Sequence, residues 1–295
     1  MESTGNRTRT LEQVMHIVFL ATATASIISV ILISVFIFMT GIPTMAEIGL
    51  GEFLLGRNWF PRHTPAQFGI FPMIISSIYV TIGAIVLGVP LGLLTAIFLA
   101  RFCPKNIYRL IKPAVELMAG IPSVVYGFFG MMVIVPLIRD VFRGLGFATT
   151  GFSMLAAIIL LGIMILPTII GLSEAAIAVV PRSYYEGAVA LGASHERATM
   201  SIVVPAAKSG IFASIILGIG RAIGETMAVI MVAGGQSIMP ENILSGVRTM
   251  TMNIVMEMGY AAGLHRDSLI ATGAVLFVFI LLINIAFNLI KRKVR

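Results

Sequence analysis

Six long apolar stretches, each free or nearly free of charge, alternate with short polar segments along this chain. They cover residues 14–40, 71–100, 113–138, 153–180, 209–233 and 268–290. A helix that crosses a bilayer needs about 20 predominantly apolar residues, and every window reaches that length. Backbone polar groups must be satisfied internally in lipid, so runs of this length cross as helices. The pattern predicts an all-α polytopic membrane protein with six transmembrane helices. Several windows exceed the minimum, which implies tilt or interfacial ends.

Placement of lysine and arginine gives the orientation. With the N-terminus inside, thirteen of these residues fall on the cytoplasmic side and six outside, and every lysine falls inside. Both termini are therefore expected in the cytoplasm. Residues 1–13 read as a polar tail, 14–290 as a transmembrane domain with its first span in 14–40 and its core in 71–290, and 291–295 as a basic tail. Ala21-Thr22-Ala23 faintly resembles a cleavage site but lies inside the first apolar run, so that run reads as an uncleaved span.

Composition narrows the class. The chain is 58% hydrophobic and 11% charged, where soluble proteins carry about 25% charged residues. The net charge of +7 is explained by loop location and gives no nucleic-acid signal. The single cysteine, Cys103, excludes an internal disulfide and a multi-cysteine metal site. Trp59 reads as an interfacial anchor, and Met250, Met252, Met256 and Met258 as an apolar stripe rather than a thioether metal site. No metal site is expected. The histidines, His16, His63, His195 and His265, fall at span ends or in loops, with no nucleophile–base set that would make an intramembrane enzyme.

Arg221 and Glu225 are the charges that stand out. They lie in the fifth window, where an ionisable side chain is costly and marks a functional position. Read as one continuous helix, the i to i+4 spacing puts both on one face, with Arg221 at mid-span. Glu116 lies one turn from Lys112 and reads as an interfacial pair, and Glu174 lies toward the inner end of the fourth window. Glycine and proline punctuate the spans at Gly88-Val-Pro90, Gly120-Ile-Pro122-Ser123, Tyr126-Gly127 and Leu166-Pro167. They fit either close helix packing or kinks that open a path. Ser123, Tyr126 and Thr226 are candidates for path or gate.

The segment 181–208 carries the most specific pattern. Helix formers flank Gly192, which predicts two short helices meeting at a turn. Glu186-Gly187-Ala188, then Gly192, then Ile202-x-Val204-Pro205 resembles the coupling motif of ABC importer permeases, with Gly187 and Val204 as mild departures. Further stretches, including Ala119-Gly-Ile-Pro-Ser-Val-Val-Tyr-Gly127, Ile163-Met-Ile-Leu-Pro-Thr168 and Gly218-Ile-Gly-Arg-Ala-Ile-Gly-Glu-Thr-Met-Ala-Val229, resemble the PstC-type permeases of phosphate-specific importers. The resemblance implies a multi-pass plasma (inner) membrane protein working with a second, PstA-type permease. It also implies two copies of a cytoplasmic ATPase that binds ATP and Mg, and an extracytoplasmic phosphate-binding protein. It gives Glu186, Gly187, Ala188, Gly192, Ile202 and Pro205 the role of docking the ATPase.

This chain lacks the glycine frame of a P-loop around Lys208-Ser209, so no cofactor is expected on it and it is not expected to be an enzyme. Arginine suits a phosphate oxyanion and keeps its charge when desolvated. Arg221 is therefore expected to attract the anion, with Glu225 neutralising it while the path is empty. A permease for another oxyanion, sulfate or molybdate, is the nearest alternative, and a passive anion channel a more distant one.

Overall fold

The computed structural model describes residues 2–293, with side chains described for 12–287 and 289. Met1 of the expected N-terminal tail and Val294 and Arg295 of the basic tail lie outside the described residues. The helices are α1 (Glu2–Ile48), α2 (Leu50–Leu55), α3 (Phe71–Ile97), α4 (Lys105–Gly120), α5 (Ser123–Phe129), α6 (Val135–Gly144), α7 (Met154–Ala178) and α8 (Arg182–Ala190). They continue as α9 (His195–Ala198), α10 (Val204–Ala206), α11 (Lys208–Gly224), α12 (Met227–Ile230), α13 (Met250–Glu257) and α14 (Leu264–Lys293). Two short antiparallel strands, β1 (Trp59–Phe60) and β2 (Gln67–Phe68), make the sheet described.

Among the described residues, five helical stretches are long and apolar enough to cross a membrane, and a sixth crossing follows if the bent pair 195–206 and 208–224 counts as one span. The middle of the molecule is α7, with 61% of its apolar window buried, against 6% for the corresponding window of α1. Packing of α3 on α7 is close because glycine allows it. A Cβ on Gly88 would sit 2.6 Å from the Ile165 side chain, and one on Gly92 would sit 2.8 Å from that of Ile169. Small residues let helix backbones approach where lipid provides no hydrophobic drive. The punctuation at Gly88 is thus a packing device.

Three windows depart from expectation. The N-terminal helix extends past 14–40 on both sides, through residues expected as a tail and on to Ile48 across Pro43. The third window is not one helix. Ile121 is extended (φ −69, ψ 127), the conformation a following proline imposes, so residues 113–120 belong to amphipathic α4 and the crossing runs over Ser123–Gly144. The fifth window stops at Gly224, where Glu225 turns extended (φ −71, ψ 130).

Two ends of the bundle differ in content. One end, called here the tryptophan end, packs Phe53, Trp59, Phe68, Ile70, Met73, Met250 and Leu269 into a buried cluster. Trp59 is only 3% exposed and its indole N–H donates to Glu257 Oε2 at 3.0 Å. It is a core residue rather than an interfacial anchor, because its polar handle finds a buried acceptor. Met250 and Met252 are likewise buried, so the methionine stripe serves packing at its start. At the other end lies the hairpin of α8 and α9.

Candidate functional site

The geometry around Arg221 follows from where α11 ends. Arg221 occupies the last turn of that helix, thirteen residues or about 20 Å along the axis from Lys208. With Lys208 at the membrane boundary, that length would place Arg221 inside an apolar layer about 30 Å thick. Its Nη1 donates to Thr168 Oγ1 on α7 at 3.4 Å, and it is within electrostatic reach of the Tyr126 hydroxyl. No other hydrogen bond or ion pair engages Arg221 among the described residues.

Glu225 is not its partner. The chain leaves the helix before Glu225, so the shared helix face expected from the i to i+4 spacing does not exist. No ion pair joins the two among the described residues. Glu225 Oε1 instead accepts the backbone N–H groups of Thr226 and Ala228, both at 3.2 Å. Amides at a helix start lack backbone acceptors and take a carboxylate readily. Glu225 Oε2 has no hydrogen-bond partner among the described residues. Thr226 closes the same break by donating its hydroxyl to Gly224 O at 3.3 Å. Thr251 on α13 donates to the Glu225 carbonyl at 3.4 Å.

Of the other path candidates, Tyr126 is buried and donates its hydroxyl to Met118 O at 2.8 Å. That bond ties α5 to α4 across the Ile121-Pro122 break. Ser123 starts α5 and is half-buried. The sequence reading did not assign Thr168 or Thr251 to the site. Thr168 lies beside Pro167 in a stretch already noted, but only the fold shows that it faces Arg221.

At the hairpin end, Gly192 adopts φ +88 with no atom within 4 Å of a built Cβ, so conformation rather than space selects glycine. Its N–H bonds to Val189 O at 2.9 Å and that of Ala193 to Ala188 O at 3.1 Å, a Schellman ending for α8. The side chain of Ser194 then caps α9 through the Arg197 N–H at 3.3 Å. These contacts make the expected helix–turn–helix. Glu186, Gly187, Gly192, Ile202 and Pro205 are exposed and Ala188 is half-buried. Leu191, at the tip, is 91% exposed, an apolar knob that the motif did not single out.

The family of binding-protein-dependent transport system inner membrane components matches residues 88–295. This chain belongs to that family. The permease is 36% identical over 299 residues to the probable ABC transporter permease protein YqgH of Bacillus subtilis, covering 98% of this chain and 95% of that one. It is 35% identical over 248 residues to the phosphate transport system permease protein PstC of Mesorhizobium japonicum, covering 79% and 75% of the two chains. Among solved structures, a bacterial alginate ABC transporter in complex with an alginate pentasaccharide-bound periplasmic protein matches at a TM-score of 0.61, with 15% identity and 94% of each chain covered. The MetNI methionine ABC transporter in an inward-facing form also matches at a TM-score of 0.61, with 19% identity and 77% and 96% covered. These structures share the fold. The permease is a multi-pass inner membrane protein and a transport subunit of an ABC importer, not an enzyme, and such permeases act with ATPase and substrate-binding partners.

Two buried carboxylates frame the site from either end of the permease. Glu174 accepts from Tyr108 at 2.7 Å and from Lys112 at 2.6 Å, while Lys112 reaches exposed Glu116 only at 3.8 Å. The pair expected between Lys112 and Glu116 is thus secondary to the buried one. Burial pulls the Lys112 ammonium down, but the hydrogen bond to Glu174 and that carboxylate's charge outweigh it and hold it above its ordinary value. At the tryptophan end, Glu257 binds Trp59, Arg248 at 2.6 Å and His265 at 2.8 Å.

Proposed function

We propose that this permease forms half of the path of an ATP-driven importer of inorganic phosphate. The observation that carries the reading is Arg221, a guanidinium within the apolar layer with one long hydrogen bond and donors to spare. Arg221 is half-buried in this chain alone; a charge shielded from water is paired unless something else completes it, and a passing anion does so. Inorganic phosphate carries roughly one to two negative charges near neutral pH and matches the guanidinium fork. The relatives named for phosphate transport support phosphate as that anion.

Glu225 shapes the rim rather than neutralising Arg221. With Oε1 on the amides of α12, its Oε2 can accept from a phosphate O–H, a donor that sulfate lacks at this pH. Both termini and the α8–α9 hairpin face the cytoplasm in this reading, as the lysine and arginine placement favours. Glu186, Gly187, Ala188, Gly192, Ile202 and Pro205 then dock one of two copies of an ATPase that binds ATP and Mg. A PstA-type permease supplies the other half of the path and further positive charge. A phosphate-binding protein delivers the anion from the opposite side.

Uptake of labelled phosphate by the complete complex in proteoliposomes tests the reading, with unlabelled sulfate and molybdate as competitors. Phosphate alone should compete. ATP-dependent uptake of labelled sulfate or molybdate, with no uptake of phosphate, would replace phosphate by another oxyanion. Anion flux without ATP would make the protein a channel.

A further inference from the structure

We infer that His195 is the positioning residue through which the hairpin moves the inner ends of two spans. The inference rests on the proposal that the hairpin docks an ATPase. The ring joins elements far apart in sequence. Its Nε2 lies 3.1 Å from the backbone oxygen of Arg101, 94 residues away, and its Nδ1 lies 2.9 Å from the Tyr185 hydroxyl on α8.

The Arg101 carbonyl can only accept, so Nε2 carries the proton and donates to it. In the neutral ring Nδ1 presents a lone pair, and the Tyr185 hydroxyl donates to it. Both ring nitrogens are thereby spent on two different elements. The ring also meets Phe102 edge to face, with centroids 4.8 Å apart.

The connection continues past Arg101. That residue sits in the widened π turn Phe98–Phe102 that ends the second crossing. Its Nη2 donates to the carbonyl of Ile177 at 3.0 Å, and Ile177 is in the last turn of α7 and fully buried. Hairpin, second crossing and fourth crossing are therefore joined in series through His195 and Arg101. Arg101 Nε is buried without a hydrogen-bond partner among the described residues, so one donor at this junction stays unmet by them in this conformation.

The hairpin has its own fold, from the Gly192 turn and the Ser194 cap. Removing the ring therefore leaves the docking knob and its apolar packing at Tyr185, and removes the polar link from the knob to the second crossing. The test uses the complete complex with its ATPase and binding protein. His195→Ala should keep ATP hydrolysis within about two-fold of wild type and lower phosphate moved per ATP by about ten-fold, in the range of ordinary coupling energies. His195→Gln, which brings one donor and one acceptor, should restore at least half of the ratio. An unchanged ratio in His195→Ala, or parallel loss of hydrolysis and transport, would overturn the inference.

A second readout does not depend on phosphate being the cargo. Spin labels at positions 105 and 196, in a Cys103→Ser background, should hold one separation with and without a nonhydrolysable ATP analogue. In His195→Ala that separation should change with nucleotide. A constant separation in the alanine variant would overturn the role of the ring, even where phosphate uptake fails in the wild type and the cargo has to be reassigned.

Discussion

The carboxylates at the two ends of the bundle are saturated, and the arginine between them is not. Glu174 holds Tyr108 and Lys112. Glu257 holds Trp59, Arg248 and His265. Arg221 makes one hydrogen bond among the described residues, at 3.4 Å. Fully met polar groups rigidify a buried region, while an unmet one in low dielectric is expensive. On the function proposed above, the contrast separates charges that fasten helices from one kept available for a ligand.

The strongest challenge to that contrast is Arg221→Gln. Loss of a charge-assisted contact of about 2–3 kcal/mol predicts about a 100-fold fall in phosphate uptake with assembly intact. Normal uptake in an assembled complex would place Arg221 with the fasteners. Glu174→Gln should do the reverse, sparing the path's chemistry but destabilising the protein by about 2–3 kcal/mol, somewhat less than a fully dry pair because Lys112 stays partly solvated. Thermal unfolding of the purified permease in detergent would register it. Trp59→Phe should cost about 1–2 kcal/mol by the same assay, since Glu257 keeps its other two donors.

The smallest effect belongs to the hairpin. The Glu196 carboxyl is held below its ordinary value by its own backbone N–H and then by the Ser194 hydroxyl. A depressed carboxyl stabilises above its unfolded value and loses that contribution as pH falls through the folded one. Wild-type and Glu196→Gln proteins should therefore differ slightly in hairpin hydrogen exchange near neutral pH and converge on acidification below about pH 4. Equal exchange at every pH would remove the carboxylate from the account of the hairpin.

Much of this architecture could be read from the sequence, because crossings depend on composition over long windows. Breaks inside them depend on single residues. Pro113 sits within α4 and the helix continues, whereas Pro122 ends one helix and starts another; the residue type is the same and the surroundings decide. α11 ends at Gly224, but the spacing of Arg221 and Glu225 argued for a shared face that the extended Glu225 abolishes. Trp59 reads as an anchor until Glu257, 198 residues away, is seen beside it. The Gly192 turn was legible because local chain geometry alone sets it.

The fit of Ile165 and Ile169 against Gly88 and Gly92 leaves no slack between α3 and α7. Those two helices behave as a keel: a push at one end tilts the whole pair, since sliding would drive methyl groups into main chain. Opening toward alternate sides must then come from pieces hung on the keel. Ile121-Pro122 and Glu225, two places where the chain is already unwound, are natural pivots.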